Sequence, residues 1–403
     1  MVEKRSSTPE SQGTELVPVT SVRSLKELLD RVTGREISSS SLSEESGIAE
    51  AIPFPFLALV GQREMKLALL LALINPAIGG VLLVGPRGTG KTTAVRSLVD
   101  LLPMIPRSLC YYGCMPEDIE SGGIDAVCPD CAKKYAQGDP LTKPDKVRLV
   151  ELPLNARLED VIGGIDERAV VNERFQLRRG LLAQADRNIL YVDEVNLLSG
   201  EVVDALLDAA SQGSYSVRRG AVSATYWSRF VFIGSMNPEE GRLRPQIQDR
   251  FGLRVIVHGL AELEERKEAY RRVHSYLTNR RITVTEFITE TEIARQEIQT
   301  ARSLIGQVIL PDEIARYGLD LIGRIGIDSL RAEITLFEAA RAHAAADART
   351  AVTIDDIRAV TLMSLRLRRS SFISNYFEKQ NSEDEEILQI QERVLSPGSK
   401  TEG

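Results

Sequence analysis

The run Gly85, Pro86, Arg87, Gly88, Thr89, Gly90, Lys91, Thr92 has the residue types and spacing to hold a triphosphate. Its glycines let successive backbone N–H groups curl round phosphate oxygens, Lys91 can reach the β and γ oxygens, and the Thr92 hydroxyl can ligate Mg²⁺, with Thr93 following. The loop stands between the apolar run VLLV and the segment TTAVRSLVDLL, a strand-to-helix setting that separates it from a chance glycine-rich turn. Further on, ILYVDEVNLL at 189–198 carries four apolar residues into two adjacent carboxylates. Asp193, at a strand's carboxyl end, can hold Mg²⁺ through water, and Glu194 can polarise a water for in-line attack on the γ-phosphate. Taken alone, the pair is also an ordinary strand-to-loop acidic pair. FVFIGSMNPEEG at 230–241 ends in Asn237, which suits a water or γ-phosphate contact if this strand neighbours the other two, and is otherwise a turn residue before Pro238. Arg250 in RLRPQIQDRFGL and Arg331 in DSLRAEI can each stabilise charge developing in phosphoryl transfer, though either in isolation reads as a surface salt bridge.

A second constellation is sulfur. All four cysteines, Cys110, Cys114, Cys128 and Cys131, fall in one short segment with the spacing C-x3-C-x13-C-x2-C. Two close pairs joined by a loop suit a closed tetrahedral Cys₄ zinc site, structural because four thiolates leave no open position. Iron–sulfur or redox-active thiols and unliganded cysteines are the alternatives; in a reducing cytosol two disulfides rank lower. His258, His274 and His343 are dispersed and read as structural.

These residues need a scaffold. Strand-length apolar runs at 81, 189, 230 and 254 alternate with helix-like segments, the pattern of a parallel sheet buried on both faces. From about Ala261 the period is helical, as in AELEERKEAYRRVHSYL. The expected organisation is a polar, disordered tail over 1–50 apart from a short helix around SLKELLDRV, and an α/β ATP-binding domain over 51–260 with a Cys-rich insert at 108–146. An all-α domain over 261–377 and a polar, acidic tail over 378–403 complete it. A net charge of −7 argues against a protein that coats nucleic acid. LALLLALINPAIGGVLLVG is broken by Asn75, Pro76, Gly79 and Gly80, so it reads as helix, turn and strand, not a membrane span, and the N-terminus MVEKRSSTPESQGTE has no apolar leader. A cytoplasmic location is expected.

The order of motifs resembles the AAA+ ATPases. LVELPLNARLEDVIGGIDERAV, GLLAQADRNILYVDEVNLL, GSMNPEEGRLRPQIQDRFGL and SLRAEI further resemble the I subunit of magnesium chelatase, from about Phe54 to about Met363. The resemblance implies an AAA+ P-loop core, a parallel sheet flanked by helices, followed by a smaller all-α domain. It also implies Lys91 and Thr92 at the phosphates and Mg²⁺, Asp193 and Glu194 as the acidic pair, Asn237 as first sensor, Arg250 as an arginine finger acting on a neighbour's ATP, and Arg331 as second sensor. A finger in trans implies a ring, commonly hexameric. The family works with a second ATPase-like subunit and a large porphyrin-binding subunit, inserting Mg²⁺ into protoporphyrin IX. A cobalt-chelatase-type or MoxR-like ATPase is the alternative. No D-x-S-x-S motif is present, which argues against the second subunit. The cysteine insert departs from the short form of the I subunit. LEDVIGGIDERAVV at 158–171 and SYSVRRGAVSATYW at 214–227, around Arg218, Arg219 and Gly220, are expected to form inserted hairpins.

Overall fold

The computed structural model describes residues 52–110, 113–165, 177–219, 222–241 and 243–368. The expectations for both tails, for the helix around SLKELLDRV and for the hairpin tips at 166–171 and Gly220 lie outside them. The first long helix, α1 (Arg63–Ile74), is apolar almost all round and buries Met65, Leu69, Leu71 and Leu73, as a helix must when it lies between two layers. Asn75 ends it and turns the chain into β1 (Val81–Val84), the phosphate loop and α2 (Lys91–Ser97).

The cysteine segment follows. It is closed at its base by β2 (Ile105–Ser108) paired antiparallel with β3 (Thr142–Asp145), and holds α3 (Pro116–Gly122) and α4 (Pro129–Gln137). Next come β4 (Leu149–Glu151), α5 (Leu158–Ile162), and an antiparallel pair of β5 (Gly163–Ile165) with β6 (Leu177–Arg179) that leads to α6 (Leu181–Gln184). β7 (Ile189–Val192) and α7 (Gly200–Gln212) precede the hairpin of β8 (Ser214–Arg219) and β9 (Val222–Trp227). β10 (Val231–Met236), α8 (Pro245–Arg250) and β11 (Leu253–Ile256) complete the strand-bearing part.

Five strands form one parallel sheet in the order β11-β1-β10-β7-β4. Alternate residues feed opposite faces. Val81, Leu83, Tyr191 and Ile233 join a core with α1, while Leu82, Leu190, Val192 and Phe232 join another with α5 to α7. Burial on both faces is why these strands read as unbroken apolar runs.

From Leu263 the described chain is helical: α9 (Leu263–Thr278), α10 (Arg280–Glu286), α11 (Ile288–Leu304), α12 (Asp312–Ile325), α13 (Leu330–Ala346) and α14 (Ile354–Leu365). The alanine-rich face of α13, with Ala339 and Ala340 fully buried, shares one apolar cluster with Leu69, Leu71 and Ile357, because small side chains let helices approach closely. Asp356 is fully buried, bound by Arg349 Nη1 at 2.7 Å, His343 Nδ1 at 2.6 Å and the Thr353 N–H at 2.7 Å, which ties the end of α13 to the start of α14. This is the structural role expected of His343. Among the described residues no helix is long and apolar enough to cross a membrane.

Candidate functional site

The register decides what meets. Val84 of β1 pairs with Met236 of β10, and Gly234 of β10 with Val192 of β7, so the residues that leave these three strands emerge side by side. Those residues are the phosphate loop, Asn237 and the Asp193–Glu194 pair, gathered at the carboxyl ends of a parallel sheet where α/β proteins bind ligands. Gly85 has no room for a side chain: a Cβ would stand 2.2 Å from the Val257 carbonyl oxygen. Gly90 takes φ +85 at the entry to α2, a left-handed turn that a side chain disfavours.

Lys91 is 8% exposed, and its ammonium donates to the Gly85 and Pro86 carbonyls, each at 2.7 Å. Burial pushes its pKa below the ordinary lysine range, and the carboxylates of Asp193, Glu194 and Glu240 act in the opposite direction. Thr92 Oγ1 lies 3.4 Å from Asp193 Oδ2, so hydroxyl and carboxylate face one small volume suited to a hard cation. Asp193 Oδ1 accepts from Tyr191 Oη at 3.0 Å and from Ser235 Oγ. Burial pushes the Tyr191 phenol up to about 12, which keeps it a donor that fixes the carboxylate.

Glu194 follows at φ 52, uncommon outside glycine and found often at functional positions. Its N–H meets Ser235 Oγ at 3.3 Å and its carboxylate lies 3.2 Å from Arg87 Nη2. Asn237 is 4% exposed, and its amide caps the next turn through the Glu239 N–H and donates to Glu240 Oε1 at 3.2 Å. It is thus both a turn residue and a member of the cluster.

Thr89 and Thr93 border a cavity of about 350 Å³ whose mostly apolar lining includes Phe54, Val60, Leu260 and Val273, with Gln62 and Arg266 as polar members. Sequence reading missed this cavity. It missed Tyr191 and Ser235 too, although Tyr191 stands two residues before Asp193 and therefore on the same strand face.

The two arginines lie elsewhere. Arg250 pairs with Asp208 at 2.7 Å and Asp204 at 3.7 Å on α7. Its carbonyl lies beside Gly79, ahead of β1, whereas the phosphate loop follows β1. Four strand residues span about 13 Å, longer than an arginine side chain, so Arg250 does not reach its own loop. Arg331 pairs with Asp249 at 3.8 Å, next in the chain to Arg250. Arg331 was expected as second sensor, with a surface salt bridge as its reading in isolation; the structure shows its pair with Asp249.

The four cysteine sulfurs converge within 4.8 Å of one another and are not disulfide-linked. Cys110 Sγ is 3.8 Å from Cys114 Sγ and 3.5 Å from Cys128 Sγ. A tetrahedral ion with metal–sulfur bonds of about 2.3 Å sets its sulfurs about 3.8 Å apart, so the donor set fits. The Cys128 N–H points at Cys114 Sγ, as backbone donors around metal-bound thiolates do. Burial pushes the Cys114 thiol up to about 11 and raises Cys131 as well. The insert braces the hairpin base, since Trp227 Nε1 donates to Asp118 at 3.2 Å and Arg187 pairs with Glu117.

The fold and this site define an AAA+ ATPase. Residues 163–251 match the MCM P-loop domain and residues 320–390 the AAA lid domain. A magnesium-chelatase subunit ChlI homolog of Methanocaldococcus jannaschii is 41% identical over 347 residues, covering 82% of this chain and 93% of the relative. The magnesium-chelatase 38 kDa subunit of Acidiphilium rubrum is 42% identical over 317 residues, 78% and 90% of the two chains. A chain in a single-particle reconstruction of the complex between subunits BchI and BchD of magnesium chelatase is 37% identical, covers 79% of this chain and 97% of its own, and superposes with a TM-score of 0.45. The chain belongs to the magnesium-chelatase I-subunit family.

Proposed function

We propose that the chain is the ATP-hydrolysing motor subunit of a magnesium chelatase, which inserts Mg²⁺ into protoporphyrin IX in chlorophyll or bacteriochlorophyll synthesis. The observation that carries this reading is the meeting of Lys91, Thr92, Asp193 and Glu194 at one end of the sheet in a chain of this family. Backbone N–H groups from Gly88 to Gly90 and the Lys91 ammonium hold the β and γ oxygens. Thr92 and Asp193 are the residues to hold Mg²⁺, which supplies charge neutralisation on the phosphates. Glu194 takes a proton from water as its oxygen bonds to the γ-phosphorus and the bond to the bridging β-oxygen breaks, giving ADP and inorganic phosphate. Asn237 orients that water. The apolar cavity beside Thr93 takes the adenine and ribose.

The position of Arg250, away from its own loop, supports a finger acting on the ATP of the next protomer, hence a homo-oligomeric ring of the hexameric kind. The division of labour follows the ATP-binding segment over 51–260 and the helical segment over 261–377. Working partners are a second ATPase-like subunit and a large porphyrin-binding subunit, in the cytoplasm, with no nucleic acid involved. The sulfur spacing supports a structural Zn²⁺ held by Cys110, Cys114, Cys128 and Cys131.

The test is turnover. Glu194→Gln keeps ATP binding and loses about 10²-fold or more in phosphate release. Robust hydrolysis in that variant removes Glu194 from its role. Wild-type protein mixed with porphyrin-binding and second ATPase-like subunits, ATP and either Mg²⁺ or Co²⁺ then gives the absorption spectrum of the magnesium porphyrin; a cobalt product alone overturns the choice of metal.

A further inference from the structure

Arg87 stands in the phosphate loop with its guanidinium between two carboxylates, 3.2 Å from Glu194 Oε1 and 2.5 Å from Glu240 Oε1. Glu240 Oε1 also accepts from Asn237 Nδ2. Base, loop arginine and sensor are therefore linked in series, Glu194 to Arg87 and Arg87 to Asn237 through Glu240, a side chain to which the sequence reading gave no role. The other oxygen of that side chain, Glu240 Oε2, is buried without a hydrogen-bond partner, and so are both amide atoms of Asn196, two residues after Glu194. Asn196 lies against the same turn: a Cβ on Gly241 would stand 3.5 Å from its Nδ2. A buried acceptor and a neighbouring buried donor that do not meet are a mismatch, and native proteins keep few of them.

We propose that Glu240 is a positioning residue for ATP hydrolysis, with Arg87 as its partner before the γ-phosphate arrives and Asn196 as its partner afterwards. The Arg87 side chain is 72% exposed, so its ion pairs are weak and readily exchanged. A bound triphosphate brings greater negative charge to the same loop and draws the guanidinium onto its γ oxygens. Glu240 then turns to the Asn196 amide, whose Nδ2 donates to Glu240 Oε2, so that this donor and this acceptor are both satisfied, and the Asn237 contact moves with it. Glu194, relieved of Arg87, is released to the attacking water in the same step. Base activation is thereby tied to the presence of the γ-phosphate, and Glu240 acts through Arg87 and Asn237 without touching the nucleotide.

This rests on the hydrolysis reading above, and the two fail differently. The measurements are kcat and KM for phosphate release from MgATP, the affinity for a fluorescent ATP analogue, and the thermal midpoint. Glu240→Gln, which keeps the size and the Asn237 contact but loses the charge, lowers kcat about tenfold while KM and analogue affinity stay within about twofold. Asn196→Ala gives the same pattern, and Glu240→Asp recovers part of kcat. Because the two groups act as a unit, Arg87→Ala combined with Glu240→Gln loses no more kcat than the worse single variant. Wild-type kcat in Glu240→Gln, multiplicative losses in the double variant, or a loss confined to the thermal midpoint overturns the proposal. If Glu194→Gln itself keeps turnover, the hydrolysis reading has failed instead.

Discussion

If the arginine finger works between protomers, a mixture of two inactive variants regains activity by a fixed law. Each competent site needs Glu194 from the protomer that holds ATP and Arg250 from its neighbour. Arg250→Ala alone loses about 10³-fold in kcat, the usual effect of removing a finger. Glu194→Gln alone is inactive for a different reason, loss of the base. In rings assembled from a fraction p of Arg250→Ala and 1−p of Glu194→Gln, a site is intact only when the first kind holds ATP beside the second. That frequency is p(1−p), so turnover rises from about zero at either end to about one quarter of wild type in an equal mixture, whatever the ring size. The resting ion pair of Arg250 with Asp208 does not prevent this. Asp208 is 57% exposed, and such a pair contributes about 0.2–1 kcal/mol, less than a phosphate offers. The assay is phosphate release at saturating MgATP over a series of mixing ratios after subunit exchange. Turnover near zero at every ratio, or full turnover by Arg250→Ala alone, refutes the geometry.

Two further outcomes follow from the sulfur cluster and the buried carboxylate. Purified protein carries about one zinc per chain by elemental analysis, and Cys131→Ser loses that zinc and lowers the thermal midpoint, because metal binding is folding free energy for so small a cluster. Asp356→Asn leaves Arg349 and His343 without their shared anion and costs about 3 kcal/mol, read by chemical denaturation. Its contacts with Arg349, His343 and Thr353 outweigh the effect of its own burial and hold the Asp356 pKa well below the carboxylate range. The stability it contributes is therefore fully present above the unfolded carboxyl pKa of about 3.9 and is lost as pH falls from there toward the folded value, an acid sensitivity that the variant lacks.

The main chain of this site was readable because its signals are local. VLLV and ILYV are buried on both faces and so show unbroken apolar runs, and the glycines, Lys91 and Thr92 occupy one continuous turn. The four sulfurs are close in sequence as well as in space. What escaped depends on distant segments meeting. The cavity beside Thr93 takes its walls from three stretches far apart in the chain, and the pattern each carries says nothing of their meeting. Asn196 lies against Gly241, next to Glu240, only because a short turn follows β10, and nothing in PEEG distinguishes Glu239 from Glu240. The pair of Arg331 with Asp249 likewise joins segments distant in the chain, which the order of motifs does not show.

That end of the molecule has its own electrostatic logic. Asp249 faces three guanidinium groups: Arg254, fully buried; Arg368, 1% exposed; and Arg331, 55% exposed. Burial, reinforced by Arg368, pushes Arg254 down to about 9, which still leaves it charged at neutral pH. One carboxylate does not balance three such cations, and the buried Nε of Arg254 has no partner. Arg250, the next residue, is balanced separately, by Asp208 at 2.7 Å and Asp204 at 3.7 Å. Burying unbalanced charge costs several kcal/mol per ion, and backbone carbonyls compensate here: Arg254 Nη1 donates to the Arg366 carbonyl at 3.0 Å, and Arg368 Nη2 to the Phe251 and Gly252 carbonyls at 3.3 and 3.1 Å, while the half-exposed Arg331 keeps its hydration.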